Sequence, residues 1–277
     1  MITFIGHVSK DLNVSKGRTE ILAGGGVYYG SFAAKSLGED VTVLTKLNLK
    51  DYQLFKDMED FGIKLIWIES PLTTSIENIY PSDNPDDRIS RIVSRADPFT
   101  ENEIQNVSGV VHISPLWHGE FPEELIETVR KKAKILSGDA QGFLRNVDDD
   151  GNMYYKDWEH KNLLEVFDVF KVDSKEAKIL TGEDDPELSL RKIVEFGVKE
   201  VLLTTKEGIY LYKFEKIYFH PFGEWTMEGR TGRGDTAIAA YLALRDKIEN
   251  IEKLVKRVAE ITTLKMKRRG PYRGWMI

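Results

Sequence analysis

The most constraining feature of this chain is the alternation of short, mostly apolar runs with stretches of helical period. Ile2–Ile5, Val41–Leu44, Ile63–Ile68, Val110–Ile113, Val169–Val172 and Val201–Thr205 are too short for helices. They lack the regular polar face of an exposed strand, so they read as strands covered on both sides. Val27–Leu37, Asp51–Phe61, Pro122–Lys132, Leu163–Phe167, Ser174–Leu180, Leu188–Phe196, Thr236–Arg245 and Ile251–Met266 read as helices. Gly62, Gly182 and Gly197 stand where left-handed turns would end three of them. Ile135–Leu136 leads into a polar loop, and Gly208–Phe214 with Lys216–Phe219 forms a hairpin. Strands separated by helices imply an α/β fold, a doubly wound and mainly parallel sheet with helices on both faces.

Two segments depart from this pattern. Asp11–Leu22 and Thr73–Val93 alternate polar and apolar residues, as in Thr74-Ser75-Ile76-Glu77-Asn78-Ile79-Tyr80 and Arg88-Ile89-Ser90-Arg91-Ile92-Val93. Such alternation marks half-buried strands with one wet face. The turn formers Ser82-Asp83-Asn84-Pro85-Asp86-Asp87 place a hairpin turn in the second segment. The strands form either a small flap or an antiparallel extension of the main sheet. No repeat, low-complexity tract or linker divides the chain. The expectation is one domain over 1–277, with lid strands inserted at about 11–22 and 73–93.

Composition matters through what it excludes. The chain has no cysteine, so disulfides, thiolate metal sites and cysteine nucleophiles are out. No apolar run is long enough to span a membrane, and the first residues lack the basic head of a signal peptide, so a cytoplasmic location is expected. A net charge of -6 gives no reason to expect nucleic acid. The five histidines show no ligand spacing, and the glycine of Asp148-Asp149-Asp150-Gly151 is misplaced for a calcium loop.

The richest stretch is Gly229-Arg230-Thr231-Gly232-Arg233-Gly234-Asp235-Thr236, which runs into a helix. A glycine turn at a helix N-terminus presents unpaired N–H groups to an anion. Asp235 reads locally as an N-cap, yet a carboxylate beside such a turn is also what phosphoryl transfer to a hydroxyl requires. Gly24-Gly25-Gly26 opens another helix, but Tyr29 stands at the third glycine position of the dinucleotide fingerprint. That leaves a tight turn with close helix packing. Asp173 and Glu176 follow a strand. A capping box explains the pair as well as a site does.

In this order, the motifs Gly24-Gly25, Asp173-x-x-Glu176 and Thr231-Gly232-Arg233-Gly234-Asp235 resemble the ribokinase or PfkB family of carbohydrate kinases, over nearly the whole chain. The resemblance implies a ribokinase-like fold with a small β lid. It implies an enzyme that moves the γ-phosphate of ATP, with Mg²⁺, to a hydroxyl of a sugar or polyol. It makes Asp235 the general base and the backbone of Gly232, Arg233, Gly234 and Asp235 the anion hole. Asp11, Gly24, Gly25, Tyr29 and Ser114 become substrate-binding residues. Asp173, Glu176, Thr205, Lys206, Gly208, Arg145 and Lys265 fall on the nucleotide and phosphate side, with Glu176 meeting the metal through water. The lid would exclude water, and its exposed strands are edges for homodimer pairing.

The departures from the family pattern carry information too. Gly229-Arg230 replaces the family's Asp-Thr, and the family's potassium site uses that acidic side chain, so strong monovalent-cation activation is not expected. Arg230 and Arg233 either supply charge to the phosphates or lie in solvent. Tyr29 and Ser114 stand where ribokinases carry an asparagine and a glutamate, which speaks against ribose. Tyr28-Tyr29 after the glycines resembles members that act on inositol. Arg145 meets phosphate or an acidic substrate, or is a surface charge. The expectation is therefore a kinase for a cyclic polyol, hexose or sugar acid. The alternatives are a nucleoside kinase and a catalytically silent sugar-binding or regulatory protein of the same fold.

Overall fold

The computed structural model describes residues 1–15, 18–80 and 89–274, so the turn expected at Ser82–Asp87, and Arg88, lie outside the described residues. Strands β1 (Ile2–Ile5), β2 (Ser9–Ser15) and β3 (Arg18–Gly24) lead to helix α1 (Gly26–Ser36). Next come β4 (Val41–Leu47), α2 (Lys56–Asp60), β5 (Lys64–Glu69), β6 (Ser75–Tyr80), β7 (Ile89–Ser94), β8 (Gly109–Ile113) and α3 (Glu124–Arg130). They are followed by β9 (Ala133–Asp139), α4 (Gln141–Leu144), β10 (Arg145–Val147), β11 (Met153–Tyr155), β12 (Val169–Asp173), α5 (Ser174–Thr181) and α6 (Pro186–Glu195). The chain closes with β13 (Glu200–Thr204), β14 (Gly208–Lys213), β15 (Lys216–Pro221), α7 (Arg233–Leu244) and α8 (Ile251–Met266).

Nine strands form the main sheet in the order β15-β14-β13-β12-β9-β8-β1-β4-β5. From β13 to β5 the neighbours are parallel, and the β14–β15 hairpin adds antiparallel strands at one edge. From β1 the chain winds out to β4 and β5, then returns to β8 on the other side. The carboxyl ends of β1 and β8 therefore flank a switch point, where open α/β sheets bind ligands. The core divides into two large clusters. One joins α1, α7 and α8 to the sheet through residues such as Phe4, Phe32 and Tyr241. The other gathers Phe143, Phe167, Phe170 and Trp158.

The alternating segments form their own four-stranded sheet, β3-β2-β6-β7, rather than an extension of the main one. Its outer face leaves Ile21, Ile89 and Val93 exposed. A further hairpin, β10–β11, was not expected from the sequence. Gly151 at its tip accepts the Ile92 N–H of β7, tying it to the lid.

Three local expectations need correction. The helix expected over Asp51–Phe61 is a 3₁₀ coil, Leu49–Phe55, followed by the short α2, and Asn48 Oδ1 caps its start on Lys50 N–H. Leu163–Phe167 is likewise 3₁₀, over Lys161–Val166. The polar loop after Leu136 is the end of β9, because Ser137 and Asp139 are buried and satisfied there. Ser137 Oγ pairs with His112 Nδ1 at 2.9 Å.

Candidate active site

Helices α1 and α7 bring their N-termini to the switch point. Gly25 caps α1 with φ 98° and Gly232 caps α7 with φ 84°, backbone conformations that favour glycine. A Cβ on Gly26 would collide with Ser114 Oγ and lie 2.9 Å from Asp235 Oδ1, so Ser114 and Asp235 face one small space. Gly30 lies against the Phe4 ring, which lets α1 and α7 approach closely. Two positive helix ends thus converge on the Asp235 carboxylate. Burial, together with the charge of Asp139, pushes the Asp235 carboxyl up to about 6, while Lys171 opposes the shift.

Behind the turn stands a lysine that sequence reasoning missed. Lys171 is only 5% exposed, although it sits in a strand read as wholly apolar. Its Nζ lies 3.2 Å from Asp139 Oδ1 and 3.5 Å from Glu176 Oε2. A Cβ on Gly234 would lie 3.0 Å from that nitrogen, so the ammonium sits just behind the turn. Burial works against its charge, but Asp139 and Glu176 outweigh it and hold the lysine charged. The only sequence signal was a single lysine in a buried run. Asp173 and Glu176 form a complete capping box on α5 and still face this cluster, so both readings of the pair hold geometrically. Burial and the neighbouring Asp173 push Glu176 upward.

The β10–β11 hairpin adds cations. Arg145 donates to Gln141 Oε1 at 2.8 Å and to the Tyr155 hydroxyl at 3.2 Å, and Lys175 Nζ lies 4.1 Å from the centre of the Tyr155 ring. Asp173 and Glu176 help to raise Arg145, which puts it in the field of the site rather than in solvent. On the lid side, Asp11 accepts from Ser9 Oγ at 2.7 Å and packs against Gly24. Deeper in the lid, Asn78 donates to Asn13 Oδ1 at 3.2 Å and accepts from Ser90 Oγ at 2.8 Å.

Other residues fall elsewhere. Lys206 is solvent-exposed beside Glu207, while Thr205 and Gly208 bond one another within their own turn. The Tyr29 ring lies under Gly232 and is nearly buried, a wedge beneath the turn. Lys265 is turned inward and donates to the Gly229 carbonyl at 2.6 Å. Among the described residues no group of three or more histidine or carboxylate side chains is arranged to hold a metal ion directly. No helix among them is long and apolar enough to cross a membrane.

A search of curated protein sequences finds no match. Solved structures do match. A pyrophosphate-dependent kinase of the ribokinase family, seen with sulfate, is 46% identical with a TM-score of 0.93, covering 99% of this chain and 98% of its own. A pyrophosphate-dependent kinase of that family with a pyrophosphate analog and myo-inositol is 44% identical, TM-score 0.91, covering 99% and 97%. A third, at 43% identity, TM-score 0.90 and coverage of 99% and 95%, is a pyrophosphate-dependent myo-inositol-1 kinase converted into a myo-inositol-3 kinase by changing an asparagine and a serine to leucine. The profile of the pfkB family of carbohydrate kinases matches residues 1–275. The doubly wound sheet, the lid and these matches agree: the chain belongs to the pfkB family of carbohydrate kinases, phosphotransferases that act on a hydroxyl.

Proposed function

We propose that the chain transfers a phosphoryl group from inorganic pyrophosphate to a hydroxyl of myo-inositol or a close cyclic polyol, with Asp235 as general base. The observation that carries this reading is the Asp235 carboxylate at two converging helix N-termini, with Lys171 directly behind its turn. Asp235 takes the hydroxyl proton as the oxygen attacks phosphorus. The new P–O bond forms on the acceptor, the bridging P–O–P bond breaks, and orthophosphate leaves. The N–H groups of Gly232 and Gly234 face the equatorial oxygens, whose charge Lys171 and Arg145 offset, whereas the Arg233 N–H donates to the Arg230 carbonyl at 3.2 Å.

This reading departs from the ATP expected by resemblance. The relatives at 43–46% identity are pyrophosphate-dependent. Pyrophosphate packs its negative charge into a small volume, which suits cations as crowded as Arg145, Lys171 and Lys175. Lys265, expected on the nucleotide side, also turns inward: Lys265 and Met266 are buried, and the Met266 carbonyl accepts from Thr226 N–H and Oγ. Magnesium fits as an indirectly held ion, because the Asp173 and Glu176 carboxylates are occupied by their cap and would reach it through water. Bound there, it would screen the donor's charge.

The acceptor follows from the lid. Its hydrogen-bonded Asn78–Ser90 pair offers a polar surface of the kind altered in the relative whose regiochemistry was switched. The test is product formation with pyrophosphate or ATP against a panel of inositols, hexoses, sugar acids and nucleosides. Transfer from pyrophosphate to a cyclic polyol is the expected outcome. Transfer from ATP alone, or to nucleosides alone, would overturn the reading.

A further inference from the structure

Lys265 lies in the last turn of α8, where a lysine ordinarily reaches water and complements the helix dipole. Here it is 1% exposed. Its Nζ donates to the Gly229 carbonyl at 2.6 Å and sits 5.4 Å from the centre of the Tyr29 ring. The same ring lies against Gly232. Gly229 itself lies directly on the Met266 backbone, with room for no Cβ. Lysine, tyrosine and glycine turn form one packed stack, so any shift of Lys265 is transmitted to the turn.

This ammonium has a neutral carbonyl as its hydrogen-bond partner. Among the described residues no carboxylate lies within 4.0 Å of it, unlike the buried Lys171 and Lys213, which are paired. A buried unpaired cation is costly and is ordinarily neutralised or matched by an anion. The nearest acidic influence on it is Asp235.

We propose that Lys265 is a positioning residue of the phosphoryl-transfer turn: it fixes the Gly229 carbonyl and places a positive charge behind the turn, which the anionic donor completes. The inference rests on the phosphoryl-transfer reading and assigns Lys265 no contact with the donor. Burial draws its ammonium down to about 8, as expected for a cation lacking a carboxylate partner.

The test uses Lys265→Met, Lys265→Gln and Lys265→Ala in the full chain, with pyrophosphate and myo-inositol as substrates. Losing a preorganised charge should lower kcat by about 10²-fold in each, with donor KM changed far less. Ammonium or potassium ions should restore Lys265→Ala at least about tenfold, should not restore Lys265→Met, whose side chain fills the space, and should leave the wild type unchanged. Lys265→Gln keeps a donor for the Gly229 carbonyl without charge. Near wild-type turnover in Lys265→Gln or Lys265→Met overturns the proposal. So does a loss in Lys265→Ala that no small cation relieves, since that is the signature of a packing role. Absence of transfer by the wild type would instead count against the phosphoryl-transfer reading itself.

Discussion

At the scale of single residues, the proposed chemistry rests on Asp235 and the cations around it. A base works only when deprotonated, and burial pushes Asp235 up to about 6. Turnover should therefore fall as pH drops below about 6 and level off between about 6 and 7, before the Lys265 ammonium loses its proton near about 8. Initial rates between about pH 4.5 and 9 would show this profile. An acid limb centred near the ordinary carboxylate value of about 4 would contradict the desolvated site. Lys171→Met should lower kcat by about 10²–10³-fold, because it removes a preorganised charge behind the turn. A thermal melt checks that the fold survives, since its two carboxylate partners are then left unpaired. The glycine turn and Asp235 were legible in the sequence because backbone chemistry needs those glycines at that spacing. Lys171 and Lys265 were not. A lysine within a strand reads as an edge, and one in a last helical turn reads as a dipole partner. Only tertiary packing turns them inward. Lys206, placed on the nucleotide side by resemblance, faces water in the structure.

At the scale of elements, the site exists because two helices pack against one another with their N-termini together. Gly26 makes that approach possible, and Gly26→Ala should cost about 1–3 kcal/mol through overpacking against Ser114 and Asp235. Chemical denaturation would measure the loss, and an unchanged midpoint would contradict the close approach. In the proposed reading the lid selects the acceptor. Asn78→Leu combined with Ser90→Leu should move phosphorylation to a different hydroxyl of myo-inositol, read by NMR of the product. An unchanged product would remove the lid pair from specificity. The alternating strands of the lid were legible because one face is wet. The β10–β11 hairpin was hidden, because an aspartate-rich turn looks the same whether it hangs in solvent or ties to β7 through Gly151. The 3₁₀ coils share the periodic signal of helices, so the sequence could not separate them.

At the scale of the whole molecule, the switch point between β1 and β8 explains why these residues meet. Both strands end there, the lid strands leave from and return to that end, and α1 and α7 start there. The sheet order was legible only as a class, because alternation implies parallel pairing without stating which strands are neighbours. The proposed donor was not legible, since a glycine turn at a helix N-terminus suits any phosphoryl group. The central claim is that Asp235 drives phosphoryl transfer to a polyol hydroxyl, and its most direct test is ³¹P NMR of pyrophosphate and myo-inositol with wild type and Asp235→Asn. We predict an inositol phosphate and orthophosphate in equal amounts with the wild type, and transfer slower by about 10²–10⁴-fold in Asp235→Asn with the melting temperature retained. Transfer at an undiminished rate in Asp235→Asn would contradict the account.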